Sequence, residues 1–165
     1  MGNRLCGPIK PQGKTGVCYI ITTTECLTRW VEAQSVKDCM ATTTAKFLFE
    51  NVLTQFGCPK ILMSDHGTYF LSETINMLIE EFQFYHQKST LYHQQANGTI
   101  EALNKIMETA LTKVYNAQQN EWDLPIPAML WAYKIMCKKL TGRTPFRLVC
   151  GTEAVKSMEY IVHGL

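Results

Sequence analysis

A short apolar run, Ile61-Leu62-Met63-Ser64, ends on the carboxylate of Asp65, and thirty-five residues later Glu101 opens an amphipathic helix. This combination confines the chain to a fold that sets a strand end against an early helical turn. The helix is the clearer half of the signal. Over about 98–116, Ile100, Leu103, Met107, Ala110, Leu111 and Val114 form one stripe at helical spacing, and Glu101 lies just off it. A carboxylate at a strand end and another on a helix rim are typical parts of a site for divalent cations, which take hard oxygen ligands. Such a site needs a third carboxylate.

The remaining periodicity supports a mixed sheet between helices. Residues 17–24, Val-Cys-Tyr-Ile-Ile-Thr-Thr-Thr, are β-branched and aromatic and read as a buried strand. Residues 28–36 alternate well enough for a second, antiparallel strand, and a shorter one precedes both at 4–9, interrupted by Pro8. Thr42 to Phe56 reads as a helix with Leu48, Val52, Leu53 and Phe56 on one face, stopped by Gly57 and Pro59. Lys60–Ser64 is the strand that delivers Asp65. Ser72 is placed to cap a helix carrying Ile75, Leu78, Ile79 and Phe82, a strand follows near 84–88, and a last helix covers roughly 121–137. Strands first, then strands alternating with helices, give an α/β class.

Composition narrows the function classes. With 165 residues, 46% hydrophobic and 18% charged, the chain suits one folded domain. No apolar stretch approaches the roughly 20 residues that span a bilayer, and the N-terminal residues do not read as a signal peptide. Seven scattered cysteines without a Cys-x-x-Cys pair argue against a disulfide framework or a zinc ribbon, and read as buried free thiols of a reducing, intracellular compartment. The four histidines show no metal-ligand spacing with them. Net charge is only +2, yet Lys134, Lys138, Lys139, Arg143 and Arg147 cluster without an acid among them. Either a solvated face or a phosphate-contacting one fits that run. Trp30, Trp122 and Trp131 fit core positions better than base-stacking platforms.

Several segments together resemble the catalytic core of a retroviral-type integrase, especially that of plant Ty3/gypsy retrotransposons. They are Cys6-Gly-Pro-Ile, Leu27-Thr-Arg-Trp-Val-Glu-Ala, Phe56-Gly-Cys-Pro-Lys, Ser64-Asp-His-Gly-Thr-Tyr-Phe, the run from Tyr92 to Lys105, Leu130-Trp-Ala-Tyr-Lys, and Leu140 to Gly151. The resemblance covers nearly the whole chain. It implies a ribonuclease-H-like fold with a five-stranded mixed sheet, a core domain over 1–160 whose first strand is cut short at its N-terminal end, and a tail at 161–165. It also implies polynucleotidyl transfer to DNA with two magnesium or manganese ions held by three carboxylates. Asp65 matches the second Asp and Glu101 the Glu; both are the implied catalytic and metal-binding residues. Asn104 and Lys105 match positions that approach DNA, and Lys134, Lys138, Lys139 and Arg143 are further DNA-binding candidates. DNA as partner, a possible homodimer and a nuclear or cytoplasmic location follow from the same likeness.

The departures from the pattern decide the expected activity. The first, bridging Asp belongs three residues before the Gly-Pro pair, and that position is Arg4. A guanidinium cannot ligate a cation and keeps its charge. At an effective dielectric of ~20, one charge pair at ~4 Å is worth about 4 kcal/mol, so reversing its sign beside two dications is ruinous for metal affinity. Glu25 is a tempting substitute but matches the end of the second strand, where it reads as a structural or surface acid. Gln94 for Pro, Lys134-Ile-Met for Arg-Thr-Thr and Cys150 for Tyr are further departures. The chain is therefore expected to be an inactive integrase core with some DNA-facing surface. A weakly active strand transferase and a non-enzymatic DNA- or protein-binding module are the alternatives. Arg4 is expected to pair with Asp65 or Glu101 and relieve their repulsion. On that basis Arg4→Ala lowers the melting temperature in metal-free buffer; an unchanged melting temperature contradicts the pairing.

Overall fold

The computed structural model of the chain describes residues 1–64, 70, 72–88, 109 and 121–155. Five strands form one sheet: β1 (Gly2–Cys6), β2 (Tyr19–Thr24), β3 (Val31–Val36), β4 (Ile61–Ser64) and β5 (Tyr85–Lys88). Their order across the sheet is β3-β2-β1-β4-β5. β2 pairs antiparallel with both β1 and β3, whereas β4 pairs parallel with β1 and with β5. This is the expected five-stranded mixed sheet. β1 takes a central place and pairs with β2 along its whole length, Gly2↔Thr24 to Cys6↔Ile20. It begins two residues earlier than the sequence suggests and ends before Gly7, where φ of +141° leaves extended pairing.

Adjacent side chains on β2 serve opposite faces, as the period of two requires. Ile21 joins Val36, Phe47, Leu48, Val52, Leu53, Leu62, Ile75 and Phe84 on one side. Ile20 joins Val17, Val31, Trp122, Ile126, Leu130 and Tyr133 on the other. A strand buried on both faces needs the unbroken β-branched run found at 20–24.

The first face is covered by α1 (Ala41–Leu48), its π-helical continuation Phe49–Leu53, a last turn Thr54–Phe56, and α2 (Glu73–Phe82). The helix expected over 42–56 is thus continuous but changes register midway, and the Thr54 hydroxyl donates to the Glu50 carbonyl at 2.8 Å within that stretch. Gly57 ends it at φ +76°. Ser72 caps α2 as expected, accepting from the Ile75 N–H.

α3 (Ile126–Ile135) covers the second face. It starts five residues later than expected, because Trp122 and Asp123 turn inward instead of winding into the helix. Trp122 is 1% exposed and donates its indole N–H to the Pro11 carbonyl at 3.1 Å. Asp123 accepts from the Lys14 N–H, the Thr15 N–H and the Thr15 hydroxyl at 3.0, 3.2 and 2.7 Å. A fourth helix, α4 (Pro145–Cys150), went unread in the sequence although its punctuation is regular: Thr144 caps it, Pro145 opens it and Gly151 closes it.

Two expectations about burial fail. None of the seven cysteines is buried: Cys6, Cys18 and Cys26 are half-buried and the other four are exposed, all as free thiols. Of the three tryptophans only Trp122 is core; Trp131 is 46% exposed and meets the Phe146 ring edge-on at 5.5 Å.

Burial pushes the Asp123 carboxyl up, but the Thr15 hydroxyl and the Thr15 and Lys14 N–H groups outweigh it and hold the group below the usual 3.8. A lowered folded-state value contributes stability above the unfolded value and loses it as pH falls through the folded one. Asp123→Asn is therefore expected to cost about 1–3 kcal/mol at neutral pH, with the deficit closing below about pH 4. Urea melts at both pH values check this; a deficit independent of pH contradicts it.

Candidate functional site

Asp65, Glu101, Asn104 and Lys105 lie outside the described residues, as does the helix expected over 98–116. What is described is the frame around them. β1 and β4 run parallel with Gly2↔Met63 and Asn3↔Ser64 as their paired residues. Arg4 is the next residue along β1, half-buried, and sits opposite Thr22, whose hydroxyl donates to the Arg4 carbonyl at 3.3 Å. The guanidinium-bearing residue thus occupies a central strand beside the end of β4, the strand that leads into Asp65. The end of β4 is itself anchored. Ser64 Oγ and His86 Nε2 are 2.7 Å apart, a hydrogen bond from β4 to β5. Nothing in the spacing of these residues announces that bond.

Two acids of the β2–β3 region, Glu25 and Glu32, are committed to contacts of their own. Glu25 Oε2 accepts from the Leu27 N–H, the Thr28 N–H and the Thr28 hydroxyl at 3.0, 2.6 and 2.7 Å, closing the β2–β3 turn. Burial raises its pKa, yet these bonds, Thr28's first, leave it lowered. Glu25 is a structural acid, as its sequence position suggested. Glu32 Oε1 accepts from Trp30 Nε1 and from Lys134 Nζ, each at 2.7 Å. Among the described residues no three His, Cys, Asp or Glu side chains gather as a ligand set. A guanidinium at Arg4 supplies no oxygen ligand, and Glu25 and Glu32 are already engaged by hydrogen-bond donors.

The basic run divides by structure in a way its sequence hides. Lys134 is 13% exposed, pairs with Glu32 at 12%, and lies over the Trp30 ring at 4.3 Å. Its positive charge is neutralised at the seam between α3 and β3. Arg147 pairs with Glu153 at 2.9 Å. Lys138 stands over the Tyr133 ring, 3.2 Å from its centre. Burial pulls its ammonium down to about 8, with Cys137 acting weakly the other way. The negative ring face beneath it also favours the charged form. Lys139 and Arg143 are exposed. Of the four candidates for DNA contact in this run, Lys139 and Arg143 project outward, whereas Lys134 serves the fold. Its acidic partner is 102 residues away in sequence.

No protein-family model matches the chain. In sequence it is similar to the Gag-Pol polyprotein of Woolly monkey sarcoma virus, 28% identical over 147 residues, which are 87% of this chain and 8% of that protein. It is also similar to the retrovirus-related Pol polyprotein from transposon 412 of Drosophila melanogaster, 23% identical over 145 residues, or 88% of this chain and 12% of that protein. The chain thus spans only a small part of these relatives. In structure it is similar to the catalytic core domain of BIV integrase, with a TM-score of 0.70, 16% identity and coverage of 98% of this chain and 97% of that one. The HTLV-2 integrase catalytic core domain in complex with magnesium, in its trimeric form, gives a TM-score of 0.69 at 18% identity over 88% of this chain and 92% of that one. The fold is that of integrase catalytic cores, ribonuclease-H-like, and the sequence relatives are retroviral and retrotransposon polyproteins.

Removing one member of a buried ion pair leaves the other charge without compensation. Lys134→Met is accordingly expected to destabilise by about 2–4 kcal/mol, and Glu32→Gln in the same background to recover part of the loss. Denaturant melts of the two single variants and the double variant measure the coupling. Additive losses contradict it.

Proposed function

We propose that this chain is an integrase catalytic core-like domain of retrotransposon descent that keeps the fold and a DNA-facing surface but has lost strand transfer. One observation carries this reading. Arg4 lies in the central strand one residue beyond the pair Asn3↔Ser64, beside the strand that leads into Asp65. Two dications cannot gather where the bridging carboxylate has become a guanidinium, so magnesium or manganese is not bound productively. Arg4 instead answers the charge of the remaining carboxylates. The motif residues around Leu27-Thr-Arg-Trp-Val-Glu-Ala and Leu140 to Gly151 support an origin in a Ty3/gypsy element of plants. DNA is the proposed partner, met through Asn104, Lys105, Lys139 and Arg143, and the free thiols favour a reducing nuclear or cytoplasmic location. Self-association, as a homodimer, is proposed as well; one integrase neighbour is a trimeric form.

The test is a strand-transfer assay with magnesium and with manganese. No product is expected from this chain; product that disappears on Asp65→Asn overturns the reading in favour of a weakly active enzyme. In the same preparations, Lys139→Ala and Arg143→Ala should each lower the salt slope of DNA binding by about one, with no preference among sequences. Absence of DNA binding at low salt removes the DNA-facing part of the reading.

A further inference from the structure

The seam between the β2–β3 turn and the end of α3 holds more buried positive charge than it can neutralise. Arg29 adopts φ +64°, a left-handed conformation that is costly for a residue with a Cβ. Its N–H donates to the Glu25 carbonyl at 3.0 Å, and the Glu25 N–H donates to the Trp30 carbonyl at 2.8 Å, which hold the turn closed. The side chain carried by this strained position is partly buried, and its Nε and Nη1 atoms are shielded from solvent without any hydrogen-bond partner. The hydroxyl of Tyr133, a residue 5% exposed on the last turns of α3, is likewise buried and unpartnered. Burial pushes that hydroxyl up to about 12, and the charge of Arg29 acts against the shift, so the two groups share one environment. Lys138 completes the group, its ammonium 3.2 Å from the centre of the Tyr133 ring.

The neighbouring acids do not serve these groups. Glu32 takes Lys134, and Glu25 Oε2 accepts from Thr28 and Leu27. Among the described residues neither Arg29 nor Lys138 makes an ion pair. Buried donors without acceptors are rare and costly, and a guanidinium is the costliest of them. Two cations and a phenol, without a described carboxylate paired to any of them, supply N–H and O–H donors from the β2–β3 turn and from α3 with the turn that follows it. A tetrahedral oxyanion accepts in several directions at once, whereas a planar carboxylate is satisfied by one guanidinium edge.

We propose that Arg29, Tyr133 and Lys138 form a binding site for a single tetrahedral phosphate group. It holds whether or not the strand-transfer reading does. Free phosphate and the phosphate of a nucleic-acid backbone share this chemistry, and the experiment separates them.

The full chain is melted in inorganic phosphate against sodium chloride of equal ionic strength, alone and as Tyr133→Phe and Arg29→Gln. The expected result is a saturable rise in melting temperature with phosphate, absent in chloride. Tyr133→Phe removes only the unpartnered hydroxyl, so in phosphate-free buffer it should melt no lower than the parent while its phosphate affinity drops roughly tenfold or more. A merely structural hydroxyl would not move phosphate affinity. Arg29→Gln should abolish the phosphate effect, and if that variant does not fold, Tyr133→Phe decides alone. No phosphate effect beyond that of chloride, or a full effect kept in Tyr133→Phe, overturns the proposal. With the effect established, oligonucleotide anisotropy names the source. Affinity that falls in Tyr133→Phe and under phosphate competition assigns the site to a nucleic-acid backbone; affinity unmoved by either assigns it to free phosphate.

Discussion

The central strand governs everything else in this molecule. β1 is held on one side by the antiparallel ladder to β2 and on the other by the parallel pairs Gly2↔Met63 and Asn3↔Ser64. A slip of one residue would exchange the two faces of the strand and send Leu5 away from the core it packs against. Register is therefore not negotiable, and it carries Arg4 to the end of β4 as surely as it would carry an aspartate. Hydrophobic packing on both faces of the sheet does not depend on the charge at that rim. Fold and chemistry are separable: the sheet specifies where residues stand, and the residues themselves specify what they can do.

The electrostatics repeat this separation. Lys134 looks like one more base in a DNA-binding run, yet its ammonium is enclosed between Glu32 and Trp30. Asp123 looks like the acidic start of a helix, yet it fastens the loop at 14–15 to the far end of the chain. In both cases a charged group that reads as surface is an internal clamp, and its partner is about a hundred residues distant.

Much of the fold was legible because periodicity is local. The β-branched run at 20–24, the Ser72 cap and the Gly57 stop each specify an element from a few residues, and those elements stand where the sequence puts them. The ends of β1 and α3 were misjudged for a different reason. Where β1 begins depends on pairing with β4, and where α3 begins depends on Trp122 finding the Pro11 carbonyl; neither is encoded nearby. The exposed cysteines and Trp131 follow the same rule, since a residue type states a preference for burial and only the packing decides it. At the site, the structural part played by Glu25 could be read from motif position alone. The Ser64–His86 bond, the capture of Lys134 by Glu32 and the unpartnered donors of Arg29 and Tyr133 arise from strands and helices meeting, and no spacing rule contains them.

Whether the rim of this sheet can gather two divalent cations separates a remnant from a working enzyme. Manganese titration followed by electron paramagnetic resonance counts bound ions directly, without requiring turnover or DNA. The parent chain is expected to leave the free-manganese signal undiminished beyond weak surface association, while Arg4→Asp should remove a stoichiometric fraction of it. Tight binding of two manganese ions by the parent chain would contradict the central claim.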